Sequence, residues 1–350
     1  MGATHLWGVR AGWETDGVLS DSATPLLQAY DLAMLDLDGV VYIGGDAVPG
    51  AADHLAAVRV AGMRCAFITN NASRPPSAVA EHLTALGVAA EVADVVTSAQ
   101  AAARVLVDRL GAGARVVMLG AAGLEAALTE VGLVPVGVED DAAALVTGYG
   151  PDVPWGAVMR AAVLVRDGMW WVASNTDMSI PTPFGLAPGH GVLVDMLRRF
   201  TGVEPVVAGK PARPLLDETI RRVGGQRPLM VGDRLDTDIE GARTMGIDSL
   251  LVLTGVTGLE ELLAARPEER PSYVGADLGA LLEPQPAPSG DGDDRVLGGW
   301  RGRVSDGRLT VTGDGSASDW WRVVAESGWT WLDAHDSVPD TSALRVPAPE

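Results

Sequence analysis

A single cysteine, Cys65, stands in the 350 residues of the sequence. No internal disulfide can form, and no zinc site built on several cysteines is available. The neighbours of Cys65 are apolar, which predicts a buried strand thiol rather than a reactive one. Positive charge is also scarce. The chain has 26 Lys+Arg against 46 Asp+Glu, a formal net charge of −20. A chain of that sign repels nucleic acid and anionic membrane surfaces, although it is no barrier to a small anion if a cation sits in a cleft. No uninterrupted apolar stretch is long enough to span a bilayer, and no positively charged start leads into an apolar one. Membrane insertion is therefore not expected, and a cytoplasmic location is the default. Glycine is abundant but shows no period, which excludes a fibrous repeat.

Hydrophobic residues make up 47% of the chain, enough for globular packing. The length suggests two or three domains. Residues 1–30 are hard to place. Trp7 and Trp13 suggest packing, and the polar stretch near 20–24 reads as loose. Strands are predicted at 32–37, 64–69 and 92–96, with helices at 49–61, 77–86 and 99–110 between and after them. This alternation predicts a parallel sheet covered by helices, an α/β fold. A second unit follows, with strands at 115–119, 143–147 and 170–175 and helices at 123–131, 154–165 and 189–200. The last of these helices comes after a loop rich in Pro and Gly. The first unit resumes near Val206, with a helix at 213–223, a strand at 228–233, a helix at 237–245 and a strand at 249–253. One α/β unit is thus inserted into a loop of another, which is physically easy when the loop ends lie close together. Residues 284–295 read as a Pro/Gly/Asp-rich linker. Beyond it, strands near 300–304 and 308–312 and a helix at 318–333 carrying Trp320, Trp321, Trp329 and Trp331 form a unit too small for a large core of its own.

The chemistry centres on Leu35-Asp36-Leu37-Asp38-Gly39-Val40. Two acids and a glycine end a predicted strand, where open α/β sheets place their sites. Alone, the stretch could be a solvated turn or an Asx-turn. Three more stretches carry complementary groups. Thr69-Asn70-Asn71, at another strand end, offers a hydroxyl and amides for phosphoryl oxygens, or a plain turn. Lys210, between Gly209 and Pro211, could balance anionic charge or face solvent. Asp233, in Gly232-Asp233-Arg234-Leu235-Asp236-Thr237-Asp238, could complete a hard-cation site with Asp36, or be one of several acids favoured at a helix N-terminus. Together they suit phosphoryl transfer. Asp36 attacks phosphorus, and Asp38 first protonates the leaving oxygen and then activates water.

These four stretches, in this order, resemble the motifs of the haloacid dehalogenase superfamily of phosphatases, and most closely its NagD and p-nitrophenylphosphatase-like branch. The resemblance spans about residues 30–282. It implies a Rossmann-like core at 1–99 and 206–283, an inserted α/β cap of the C2 type at 100–205, a linker at 284–295 and a small C-terminal α+β extension at 296–350. It makes Asp36 the nucleophile and Asp38 the acid/base. It places Mg²⁺ on Asp36, the main-chain carbonyl of Asp38, and Asp233. Asp238 would support the metal or orient Lys210. Thr69 and Lys210 join the catalytic set, and Gly39, Asn70 and Asn71 are expected to bind the phosphoryl group. Arg74 is a candidate contact to the leaving group, and His190 a candidate contact to substrate. The presence of Asp38 argues against a dehalogenase.

A fixed cap implies a small phosphate monoester as substrate. The C-terminal unit resembles a fragment of an acetyltransferase-type fold, as found in actinobacterial members that act on glycerol 3-phosphate. That ester, released in the recycling of phospholipid polar heads, is therefore the expected substrate. Phosphoglycolate, or a broad range of sugar, nucleotide and pyridoxal phosphates, is the alternative. A catalytically silent binding protein of the same fold is another. The tail shows no Gly-rich pyrophosphate loop, so acetyl transfer is not expected of it. A homodimer is compatible with the branch.

Overall fold

The computed structural model describes residues 19–182 and 184–347. Trp7 and Trp13 lie outside them. The chain forms two compact units. One comprises the chain through Cys65 together with Gly225 onward, and the other is Ala66–Gly224.

In the first unit, the strands Leu32–Leu35, Pro228–Gly232, Asp248–Val252 and Tyr273–Gly275 are neighbours in that order and all run parallel. Leu32–Leu35 and Pro228–Gly232 are buried along their whole length. Their sequences are accordingly continuous apolar runs rather than alternating ones, as strands covered on both faces require. The two strands each stop just before an acid, at Leu35 and at Gly232, instead of including it. Leu35 lies opposite Val231, so Asp36 and Asp233 leave the carboxyl ends of adjacent strands. The stretch near 20–24, expected to be loose, is held. Ser20 N–H donates to the Ser272 carbonyl, and Ser22 and Gln285 exchange main-chain bonds of 2.9 and 2.8 Å.

The C-terminal segment belongs to this unit. Asp294–Leu297, Trp300–Ser305 and Arg308–Gly313 form an antiparallel sheet, so its first edge strand already begins inside the stretch expected to be a linker. The helix Ala317–His335 covers the sheet. Its start is set by Ser316, whose Oγ accepts from Asp319 N–H, a standard N-cap. Trp320, Trp321 and Trp329 share one core with Leu251, Leu262, Leu263 and Val274. The tail therefore needs no core of its own.

In the second unit, five parallel strands lie in the order Val206–Val207, Trp170–Ala173, Ala144–Thr147, Arg115–Leu119 and Val134–Val136. Helices Trp155–Arg166 and His190–Thr201 bury Ala161, Val165, Val194 and Leu197 against Val117, Leu145 and Trp171. Trp171 satisfies its indole N–H on the Thr147 hydroxyl at 3.0 Å. The strand Arg64–Thr69 enters this unit at Ala66, and from Phe67 onward it runs parallel to Val95–Thr97, with Thr69 opposite Thr97. Thr97 then caps the helix Ser98–Leu110 in a reciprocal pair with Gln100. The segment expected to be a loop before His190 instead forms the antiparallel hairpin Ser179–Thr182 with Gly185–Pro188. Proline is rare inside paired strands, and its presence in both arms hid the hairpin from the sequence.

Candidate active site

In the first unit, Asp36, Asp233 and Asp238 each place a carboxylate oxygen within 4.8 Å of the others. Asp233 and Asp238 are completely buried, and Asp36 is half-buried. Asp36 and Asp233 arrive from adjacent strand ends. Asp238 arrives by a different device. The residues after Asp233 make one wide turn, Leu235–Ile239, in which Ile239 N–H reaches the Arg234 carbonyl five residues back at 3.2 Å. Such π-type turns recur at functional sites. This one swings Asp238 round so that its Oδ2 accepts from Arg234 N–H at 3.1 Å. The sequence predicted an α-helix from 237, but the α-helix begins at Glu240.

The cluster is cradled by main chain. Val256 N–H donates to Asp233 Oδ2 at 2.7 Å. The Thr254 hydroxyl donates to the Gly39 carbonyl at 2.5 Å. Gly39 has φ +84°, and a Cβ there or at Gly255 would collide with the Asp233 carboxylate. The turn after Asp36 is closed by Gly39 N–H on the Tyr42 carbonyl and by Val41 N–H on the Leu37 carbonyl. Asp38 lies in that turn with its side chain exposed. Thr254, Gly255 and Val256 were not singled out from the sequence. Their only signal is a Gly-containing polar stretch after a predicted strand.

Two unit charges 4 Å apart interact by about 4 kcal/mol at an effective dielectric constant of 20. Three buried or half-buried carboxylates at this spacing therefore call for a counter-charge. All donors in the cluster are oxygens, with no cysteine or histidine among them. That set fits a hard divalent cation such as Mg²⁺, which favours carboxylates and leaves positions for water and phosphate.

In the second unit, the polar residues after Thr69 form a compact net. Asn71 N–H donates to Thr69 Oγ1 at 3.1 Å, and Asn71 Oδ1 accepts from both the N–H and the hydroxyl of Ser73. Asn70 is buried. Its side chain meets the main chain of Lys210 and the carboxylate of Asp177. Lys210 is the chain's only lysine and is itself buried. Arg74 is exposed, and its main chain packs against Gly123 at the start of the helix Ala122–Glu130. His190 opens the helix His190–Thr201 and is 4% exposed. Its Nδ1 is 2.9 Å from the Asn175 carbonyl, which makes Nδ1 the protonated nitrogen in the neutral ring. Burial pushes its pKa down to about 4, against the opposing hydrogen bond to Asn175. The sequence set His190 among the groups that meet substrate. Its place is in the interior of this unit.

Among the described residues no helix is long and apolar enough to cross a membrane. Two family models match the sequence: haloacid dehalogenase-like hydrolase over residues 33–134 and HAD-hydrolase-like over residues 207–281. D-glycerol 3-phosphate phosphatase of Mycobacterium tuberculosis is 42% identical over 300 residues, which is 84% of this chain and 82% of that protein. An acid sugar phosphatase of Staphylococcus saprophyticus is 34% identical, covering 73% of this chain and 98% of its own length. Among solved structures, glycerol phosphate phosphatase from M. tuberculosis in complex with magnesium superposes with a TM-score of 0.79 at 41% identity, over 87% of this chain and 92% of that one. 4-Nitrophenylphosphatase from Thermotoga maritima superposes with a TM-score of 0.68 at 31% identity, over 73% and 98%.

Proposed function

Because this chain belongs to the haloacid dehalogenase-like hydrolases and is a phosphatase of that family, we propose that it hydrolyses glycerol 3-phosphate to glycerol and phosphate through an aspartyl-phosphate. The observation that carries the reaction is the three-carboxylate cluster, Asp36 and Asp233 at adjacent strand ends and Asp238 on the turn after them, with a further acid, Asp38, two residues beyond Asp36. Support for the substrate comes from the identity with the M. tuberculosis enzyme over most of both chains.

Asp36 is the nucleophile. Its carboxylate oxygen forms the bond to phosphorus as the bond to the glycerol oxygen breaks. Asp38 delivers its proton to that oxygen. It then removes a proton from the water that attacks the aspartyl-phosphate, which releases phosphate and restores Asp36. One acid thus serves both steps, and its exposed position suits contact with solvent. Asp36, Asp233 and the main-chain carbonyl of Asp38 would hold Mg²⁺, with Asp238 in support. The ion supplies positive charge that offsets the anionic nucleophile and the phosphoryl oxygens. Thr69 and Lys210 contribute a hydroxyl donor and a fixed ammonium for the phosphoryl group. Gly39 and Asn71 shape its surroundings, and Arg74 serves the leaving group. The inserted α/β module at 100–205 acts as the cap that excludes water. A cytoplasmic location and assembly as a homodimer complete the proposal.

The test is a panel of glycerol 3-phosphate, phosphoglycolate, a sugar phosphate and p-nitrophenyl phosphate, with and without Mg²⁺. Glycerol 3-phosphate is expected to show the highest kcat/KM, with Asp36→Asn inactive on every ester. The resemblance to an acid sugar phosphatase makes the sugar phosphate the rival worth measuring. Equal efficiency on all esters would end the glycerol 3-phosphate assignment. Full activity of Asp36→Asn would end the mechanism.

A further inference from the structure

We infer that Asn70 is a positioning residue for Lys210, and that its side chain is not a substrate contact. The inference rests on the reading of Lys210 as the ammonium that serves the phosphoryl group. Asn70 and Lys210 are 140 residues apart in sequence, yet they bond in both directions. Lys210 N–H donates to Asn70 Oδ1 at 2.9 Å. Asn70 Nδ2 donates back to the Lys210 carbonyl at 3.1 Å. The remaining Nδ2 proton goes to Asp177 Oδ1 at 2.9 Å. A side-chain amide has two N–H donors, so both are spent inside the protein.

Only one orientation of the amide satisfies this arrangement. Reversed, the NH₂ would face the Lys210 N–H, and the oxygen would face a carbonyl and a carboxylate. The exchange of bonds mimics one rung of a β-ladder, with a side chain standing in for a strand.

The clasp is itself anchored. The Asn70 carbonyl accepts from the Ser98 hydroxyl at 2.5 Å and from Asn175 Nδ2 at 2.6 Å. Asn175 Oδ1 in turn takes the N–H of Asp177 at 3.1 Å. Space is kept for it as well, since a Cβ on Gly209 would lie 2.6 Å from Asn70 Oδ1 and 2.7 Å from the Ser174 carbonyl. The residue before the lysine is thus small where the amide must pass. With its main chain gripped on both sides of Cα, Lys210 has its stem direction set before any ester arrives. Preorganised charge of this kind costs nothing to reorganise during reaction.

The singular lysine makes the inference directly observable. Protein grown with lysine labelled by ¹³C at Cε yields one lysine resonance, that of Lys210. In Asn70→Ala that resonance is expected to shift or split in the absence of substrate. kcat for the ester should fall by about 10- to 100-fold with KM within about twofold, the range in which misplacement of a catalytic group is felt. Asn70→Asp keeps the acceptor for Lys210 N–H and removes both donors. Its second oxygen would then face the Lys210 carbonyl and the Asp177 carboxylate, so kcat should fall at least as far as in the alanine variant, and it stands in if that variant does not fold. A raised KM with kcat and the lysine resonance unchanged would overturn the inference and return Asn70 to the substrate. Wild-type activity in Lys210→Ala would instead overturn the reading of Lys210, while the resonance would still judge the clasp.

Discussion

Asp233 is buried among glycines, and their smallness is what lets a carboxylate reach this point. At Gly39 two demands coincide, a φ of +84° and a missing Cβ where the Asp233 oxygen stands. Gly39→Ala is expected to weaken Mg²⁺ binding by at least about tenfold, the scale at which the supports of metal ligands act. Titration calorimetry would read this directly, and wild-type affinity would show that the cradle is dispensable. The acids were legible in the sequence because Asp36 and Asp233 each follow a short apolar run that reads as a buried strand. The position of Asp238 was not, because it depends on a turn of five-residue period that no apolar pattern records. The bonds of Asn70 to Lys210 were not legible either, because the partner lies 140 residues away and leaves no local mark.

At the scale of elements, the C-terminal helix was legible at 318–333 from its spacing and spans Ala317–His335. What it packs against was not. Gly328 sits in mid-helix, where propensity alone favours alanine by about 1 kcal/mol. Here a Cβ would run into the Leu263 side chain of the neighbouring short helix Leu259–Leu263. Trp329, one residue on, closes the same contact with its indole N–H on the Leu262 carbonyl at 2.7 Å. Gly328→Ala is therefore expected to destabilise the protein by about 1–3 kcal/mol, as overpacking does. Urea unfolding followed by tryptophan fluorescence would measure it, and a stabilised variant would mean that the two helices are loosely apposed.

For the molecule as a whole, two buried titratable groups respond to pH in opposite directions. His190, in the second unit, has its pKa lowered from 6.5 to about 4, chiefly by burial. The unfolded chain then binds the extra proton first. Its contribution is intact above pH 6.5 and is lost as pH falls through 4. Glu326, in the first unit, has its pKa raised from 4.5 to about 7, chiefly by burial and against the Leu19 N–H and Arg295. Here the folded chain holds the extra proton, so its contribution is intact below 4.5 and is lost as pH rises through 7. Each shift corresponds to on the order of 3 kcal/mol. Between pH 4.5 and 6.5 the two slopes oppose one another. Glu326→Gln should remove one of them and leave stability rising with pH across that window, as urea midpoints at a series of pH values would show. An unchanged profile would mean that Glu326 keeps its charge when folded.

Glu326 also carries one of the bonds between the early and late parts of the first unit. Its Oε1 takes the N–H of Leu19, 307 residues earlier. Ser22 meets Gln285 in the same way, and Leu32 waits for Pro228 before its strand has a neighbour on that side. A ribosome adding about 5–20 residues per second takes roughly 15–60 s to travel from Leu19 to its acceptor. For that interval Leu19 N–H lacks its acceptor, and for the earlier part of it Leu32–Leu35 lacks its neighbour on the Pro228 side. Chaperone capture during translation should accordingly concentrate on this early apolar strand, while the inserted unit, contiguous in the message, can close as soon as it clears the tunnel.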